Sequence, residues 1–182
     1  MTKSRISLTG AWLVMVLAVS ACANTTTQRT AGQGVDDSVL TGRVKSALIQ
    51  SPATKAHDID VEVYKGDVQL NGFVASADQK SSATEVVRKV AGVNSVRNNL
   101  QVQTERRSGG DVVDDAMITA KVKAALIGDS RTKAHQIEVT TNQGVVQLGG
   151  FVDSANAKAT ATDIARSIEG VKSVSNDLQL RD

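Results

Sequence analysis

Hydrophobic positions along residues 36–102 switch between two periods. Leu40, Val44, Ala47 and Leu48 recur at the spacing of one helix face. Ile59, Val61 and Val63 then alternate with Asp60, Glu62 and Tyr64, and Val68, Leu70, Gly72 and Val74 alternate again after Lys65-Gly66-Asp67. Period-2 patterning around a glycine turn predicts a β-hairpin. Ala83, Val86, Val87 and Val90 return to the helical period. Ser76 with Gln79 forms a capping-box pattern before that helix, and Gly92 is placed as the left-handed residue that ends it. Val96, Asn98, Leu100 and Val102 predict a closing strand.

The whole pattern then repeats, 78 residues later and without insertion or deletion. Ile118, Val122, Ala125 and Leu126 form the helix stripe, and Ile137, Val139, Val146, Leu148, Gly150 and Val152 form the hairpin. Ser154, the stripe Ala161, Ile164, Ala165 and Ile168, and Gly170 make the second helix, before Val174, Asn176, Leu178 and Leu180. Asp36 or Asp37, and Asp114 or Asp115, are the expected caps of the leading helices. The fold class is α+β: two tandem α-β-β-α-β domains, each a three-stranded mixed sheet with two helices on one face. The domains fall at residues 35–103 and 112–182, with a short polar linker at 104–111. Gly72 and Gly150 sit inside strands, where a missing side chain permits close helix packing or a bulge. Each unit is small and nearly devoid of aromatics, so the copies are expected to support one another.

The first residues follow another logic. Lys3 and Arg5 precede the apolar run from Ala11 to Val19, far short of the roughly 20 residues that span a bilayer. Val19-Ser20-Ala21-Cys22 resembles a bacterial lipobox, which makes residues 1–21 a lipoprotein signal peptide and Cys22 the acylated residue. Cleavage of an ordinary secreted protein near Ala21 or Ala23 is the alternative. Residues 22–34, rich in Thr, Gln and Asn, read as a flexible tether.

Loss of that leader changes the charge balance. The chain carries 21 basic and 19 acidic residues, but Lys3 and Arg5 leave with the signal and all acids remain. The mature side chains balance, so net charge gives no support to nucleic-acid binding. An attraction to anionic surfaces has to be local.

Chemistry for catalysis is sparse. Cys22 is the one cysteine, and the two histidines, His57 and His135, occupy the same repeat position. They read as polar residues at the start of a strand rather than metal ligands or bases. Asp36-Asp37 and Asp114-Asp115 read as caps at a positive helix end, not catalytic carboxylate pairs. No catalytic residue, metal site or cofactor is assigned.

Val68-x-Leu70-x-Gly72-x-Val74, then Gly92-Val93-x-Ser95-Val96-x-Asn98-x-Leu100, resembles the BON domain (bacterial OsmY and nodulation). Val146-x-Leu148-x-Gly150-x-Val152 and Gly170-Val171-x-Ser173-Val174-x-Asn176-x-Leu178 repeat it. The resemblance implies envelope maintenance or osmotic-stress tolerance. In the dual-BON outer-membrane lipoproteins it also implies phospholipid binding through the first helix of the second domain, where a Trp takes the position of Met117. Ala23 after the cysteine implies the outer membrane, facing the periplasm. A soluble periplasmic protein is the alternative.

That helix has a surface to match. Met117, Ala120, Ala124 and Ile127 lie opposite its buried stripe, flanked by Lys121 and Lys123. A weakly apolar face edged by lysines suits an anionic phospholipid headgroup layer. The first copy offers Val39, Gly42, Ser46 and Ile49 with Arg43 and Lys45, a less apolar set. The alternative is a protein-interaction or chaperone-like module docking an outer-membrane assembly partner.

Overall fold

A computed structural model describes residues 31–54, 58–103, 108–132 and 136–181, with side chains from residue 36 onward. The lipobox, Cys22, most of the tether, His57 and His135 lie outside the described residues. The first domain runs α1 (Ala31–Gln50), β1 (Ile59–Tyr64), β2 (Asp67–Val74), α2 (Ala77–Arg88), β3 (Ser95–Asn98) and β4 (Gln101–Val102). The second runs α3 (Gly109–Gly128), β5 (Ile137–Asn142), β6 (Val145–Val152), α4 (Ala155–Ser167), β7 (Ser173–Asn176) and β8 (Gln179–Leu180).

In each domain the middle strand is antiparallel to the first and parallel to the last two segments. The hairpin and a crossover helix produce this mixed sheet. Both helices cover one face. Leu40, Val44 and Leu48 of α1 and Ala83 and Val87 of α2 close over Val61, Val63, Val68, Leu70 and Leu100. Ile118, Val122, Leu126, Ala161 and Ala165 do the same over Val139, Val146, Leu148 and Leu178. The hydrophobic stripes read from the sequence are these cores.

Three local expectations change. The leading helices begin earlier than the paired aspartates, at Ala31 in what read as tether and at Gly109 in what read as linker. Asp37 and Asp115 therefore lie inside helices and cap nothing. Asp37 reaches across to the hairpin, where its carboxylate accepts the N–H groups of Lys65 and Gly66 at 2.9 and 3.0 Å. Asp115 accepts those of Gln143 and Gly144 at 2.7 and 2.8 Å. Lys65 and Gln143 have φ of 51° and 49°, uncommon for side-chain-bearing residues, and the buried carboxylates hold them there. Second, α2 and α4 stop at Arg88 and Ser167, several residues before Gly92 and Gly170. Those glycines are left-handed, but in the turn that follows rather than at the helix end.

Third, the closing strand is broken into two segments, and the break explains the domain arrangement. Gly72 has φ +115°, and a Cβ there would sit 2.0 Å from the carbonyl oxygen of Asp58. The close neighbour is thus the backbone entering β1, not a helix. Asn99 N–H still donates to Leu70 O, and Gln103 N–H to Val74 O. Between those bonds, a continuous parallel ladder would join Gly72 N–H to Asn99 C=O. Instead the side-chain amide of Gln147, from the other domain, is inserted. Gln147 accepts from Gly72 N–H at 2.6 Å and donates to Asn99 O at 2.8 Å. Gln69 returns the arrangement, accepting from Gly150 N–H at 2.6 Å and donating to Asp177 O at 2.5 Å. Each sheet is completed by a glutamine of its partner.

The sheets thus pack through the faces their helices leave bare. Gln69 and Gln147 are 0% and 1% exposed, and Tyr64 lies against Phe151 with ring centroids 5.3 Å apart. Thr140 Oγ1 donates to Asp60 Oδ2 at 2.7 Å across the same seam. The match is not fully symmetric. A Cβ on Gly149 would lie 2.2 Å from Asn71 Nδ2, so the larger residue of one copy occupies the space left by the smaller residue of the other.

Candidate functional site

With both sheet faces covered, the helices supply the outer surface of each domain. On α3, Ser108 accepts the Asp111 N–H, and the Asp111 carboxylate accepts the Ser108 N–H at 2.8 Å, a reciprocal cap. The Ser108 side chain, then its backbone N–H, lowers the Asp111 carboxyl below its ordinary value. One side of α3 buries Asp115, Ile118, Val122 and Leu126. The opposite side exposes Val113, Met117, Ala120, Ala124 and Ile127 in a single stripe, roughly 21 Å long at 1.5 Å rise per residue. Ile127 is 74% exposed and Met117 51%.

The two lysines at its edges are not equivalent. Lys121 is exposed. Lys123 Nζ lies 2.7 Å from Glu138 Oε1, so part of its charge is matched within the domain. At the C-terminal end of the helix, Asp129 would oppose the helix dipole. Arg131 grips its carboxylate through Nε and Nη2 and holds the carboxyl down to about 2. A groove of about 380 Å³ beside the N-terminal turns brings Met117, Lys121 and Lys172 together with Asp111, Asp114 and Glu169. Acids dominate it, so an anion is better met on the open helix face.

The same face of α1 exposes Val39 and Ile49, also 74% exposed, but places Gly42 and Ser46 where α3 has Ala120 and Ala124. Its apolar surface is therefore interrupted. A Cβ added to Gly42 would meet nothing within 4 Å, so that face carries a bare backbone notch.

Other candidate chemistry is dispersed. Asp37 and Asp115 turn inward to the hairpins while Asp36 and Asp114 are exposed, so neither pair converges on a common point. Among the described residues no group of three His, Cys, Asp or Glu side chains could hold a metal ion, and no helix is long and apolar enough to cross a membrane.

The BON domain model matches residues 36–104 and 114–182. The chain is 36% identical to osmotically-inducible protein Y of Escherichia coli (strain K12), covering 100% of this chain and 99% of that protein. It is 37% identical to the outer membrane lipoprotein DolP of Haemophilus influenzae over 82% of this chain and 77% of that one. The 21 kDa hemolysin of Actinobacillus pleuropneumoniae is 34% identical over 80% and 75%. Both halves of the chain, matched separately and related by an uninterrupted repeat, make it a member of the BON domain family with two copies of the domain.

Proposed function

We propose that this protein is a non-catalytic envelope lipoprotein that lays the outer face of α3 on anionic phospholipid and so supports outer-membrane integrity or stress tolerance. Acylated Cys22 anchors it in the outer membrane, facing the periplasm. The observation that carries the reading is the unbroken exposed stripe from Val113 to Ile127, edged by Lys121, on one copy alone. Apolar atoms on such a face enter the headgroup boundary while the ammonium meets phosphate. The names of the relatives, one osmotically inducible and one an outer membrane lipoprotein, support an envelope role. Met117 brings apolar surface without the interfacial preference of an indole, so the contact is a weak one that orients an anchored protein.

The test is flotation of a chain beginning at residue 23, which keeps the whole described fold and removes the anchor. Wild type is expected to float with phosphatidylglycerol-containing vesicles and not with phosphatidylcholine alone. Lys121→Glu with Ile127→Asp should weaken that binding by roughly 70- to 900-fold, since each Lys near an anionic surface contributes about 1 kcal/mol and a buried Ile side chain about 1.5–3 kcal/mol. Lys123 is left intact, because a glutamate there would face Glu138 and disturb the fold. Unchanged flotation would refute the α3 assignment. Capture of an outer-membrane assembly protein without any lipid binding would favour the protein-docking reading instead.

A further inference from the structure

We propose that Asn71 is a modification site, a side-chain amide that deamidates when the two domains part and that the closed seam keeps intact. Asn71-Gly72 is the one Asn-Gly pair in the chain. Asparagine before glycine is the dipeptide most prone to this reaction, because no side chain shields the glycine nitrogen and its backbone turns freely. The Gly72 nitrogen gives up its proton and attacks Asn71 Cγ. An N–C bond forms, the Cγ–Nδ2 bond breaks, and the amide leaves as ammonia. Water then opens the resulting succinimide to aspartate or isoaspartate.

The seam blocks each of these steps. Gly72 N–H is donated to Gln147 Oε1 at 2.6 Å, so the attacking nitrogen is engaged. Asn71 Oδ1 accepts from Asn99 Nδ2 at 3.2 Å, and its own Nδ2 lies against Gly149, where an added Cβ would come within 2.2 Å. Nδ2 has no hydrogen-bond partner among the described residues, so packing alone holds it. Asn71 is 1% exposed, which shuts out the hydrolytic water. Gln147 and Gly149 belong to the second domain, so the protection ends when that domain leaves. The strand conformation does not need the amide. The second domain forms the same strand on Gly149-Gly150, with Gly150 at φ +110° and bonded to Gln69 in the same way.

The product opposes reclosure. In the antiparallel ladders Asn71 stands opposite Asp60, and Gly149 opposite Glu138. Asp60 faces the seam, where it accepts from Thr140 at 2.7 Å. Aspartate at position 71 sets a second carboxylate directly across from Asp60, in a place that excludes water. Isoaspartate also inserts a methylene into the backbone of β2 and shifts its register against β1. Deamidation thus turns a passing separation of the domains into a lasting one. This site does not depend on the α3 reading, and the two fail separately.

Peptide mass spectrometry of the chain from residue 23, incubated in mildly alkaline buffer, tests it. Folded wild type is expected to keep the Asn71 amide, while the same chain in urea loses it. Gln147→Leu leaves Gly72 N–H without its acceptor and should speed deamidation of the folded protein about tenfold or more, since the rate follows the open population. Val44→Ala weakens the first core without touching the seam. Brought by urea to the unfolded population of Gln147→Leu, it should deamidate more slowly than that variant. Asn71→Asp stands for the product, and it should quicken hydrogen exchange at Gly72 and Gly150 by about tenfold or more. Equal rates in folded and denatured wild type, or in Val44→Ala and Gln147→Leu, would overturn the gating by the seam. An amide that survives in urea would overturn the site, and unchanged exchange in Asn71→Asp would overturn the block on reclosure.

Discussion

Gln147→Leu is expected to lower the folding free energy by about 2–4 kcal/mol, an unusually large effect for a polar residue at a surface-like strand position. Leucine is close to glutamine in size, so the loss would not come from a cavity. It would come from Gly72 N–H and Asn99 C=O, left without a partner in a seam that excludes water. Each unpaired buried group costs about 1–3 kcal/mol. Gly72 and Asn99 belong to the first domain although the substitution is in the second, while Asp177 of the second domain loses the Gln147 donor but keeps that of Ser175, so the first domain should lose more protection. Gln69→Leu should do the reverse through Gly150 and Asp177. Urea unfolding gives the total, and hydrogen exchange at Gly72 and Gly150 shows which domain opened. A loss below about 1 kcal/mol, or one confined to the mutated domain, would mean that the glutamines do not complete the sheets.

Gly150→Ala is the second large effect, expected to cost about 3 kcal/mol or more, with Gly72→Ala alongside it. The Cβ would meet the backbone carbonyl oxygen of Gln136 at 2.2 Å, at a φ of +110°. Backbone cannot swing aside as the end of a flexible side chain can, so the strand entry has to move and β5 moves with it. Gly150 N–H is also the donor to Gln69, so the displacement reaches the seam. Gly42→Ala is the internal control. That glycine lies in α1 with nothing within 4 Å of the added atom, and the change should stabilise by about 0.5–1 kcal/mol through helix propensity. Thermal melts of the three variants separate the outcomes. Equal, small changes at positions 42 and 150 would contradict the tight backbone contact.

The cores are legible in the sequence because their signal is local. Leu40, Val44 and Leu48 at helical spacing, and Ile59, Val61 and Val63 at strand spacing, announce which side is buried before any neighbour is known. The seam is hidden by the same logic. Gln69 and Asn71 alternate with hydrophobic residues and read as a solvated face, although that face is covered by another sheet. The available signal is indirect: Tyr64, Phe73 and Phe151 fall on the supposedly wet side, and Val-Gln-Leu is identical in both copies. Asp37 reads as a cap because the hairpin turn it clamps lies 28 residues away, a distance that no capping pattern reports. The stripe on α3 is readable from the sequence, since it needs only the helix period and knowledge of the buried side. The pairing of Lys123 with Glu138 is not, because it joins two elements whose register the sequence leaves open.

The membrane reading turns on a contrast between two isoleucines at the same repeat position, Ile49 and Ile127, each 74% exposed. Nitroxide labels placed at Ile49→Cys and Ile127→Cys, in chains beginning at residue 23, can be compared on phosphatidylglycerol vesicles by their access to oxygen and to a water-soluble nickel chelate. The label at 127 is predicted to gain oxygen contact and lose nickel contact when vesicles are added, while the label at 49 stays aqueous. Labels that remain equally aqueous, or a label at 49 that enters the bilayer in place of 127, would contradict it.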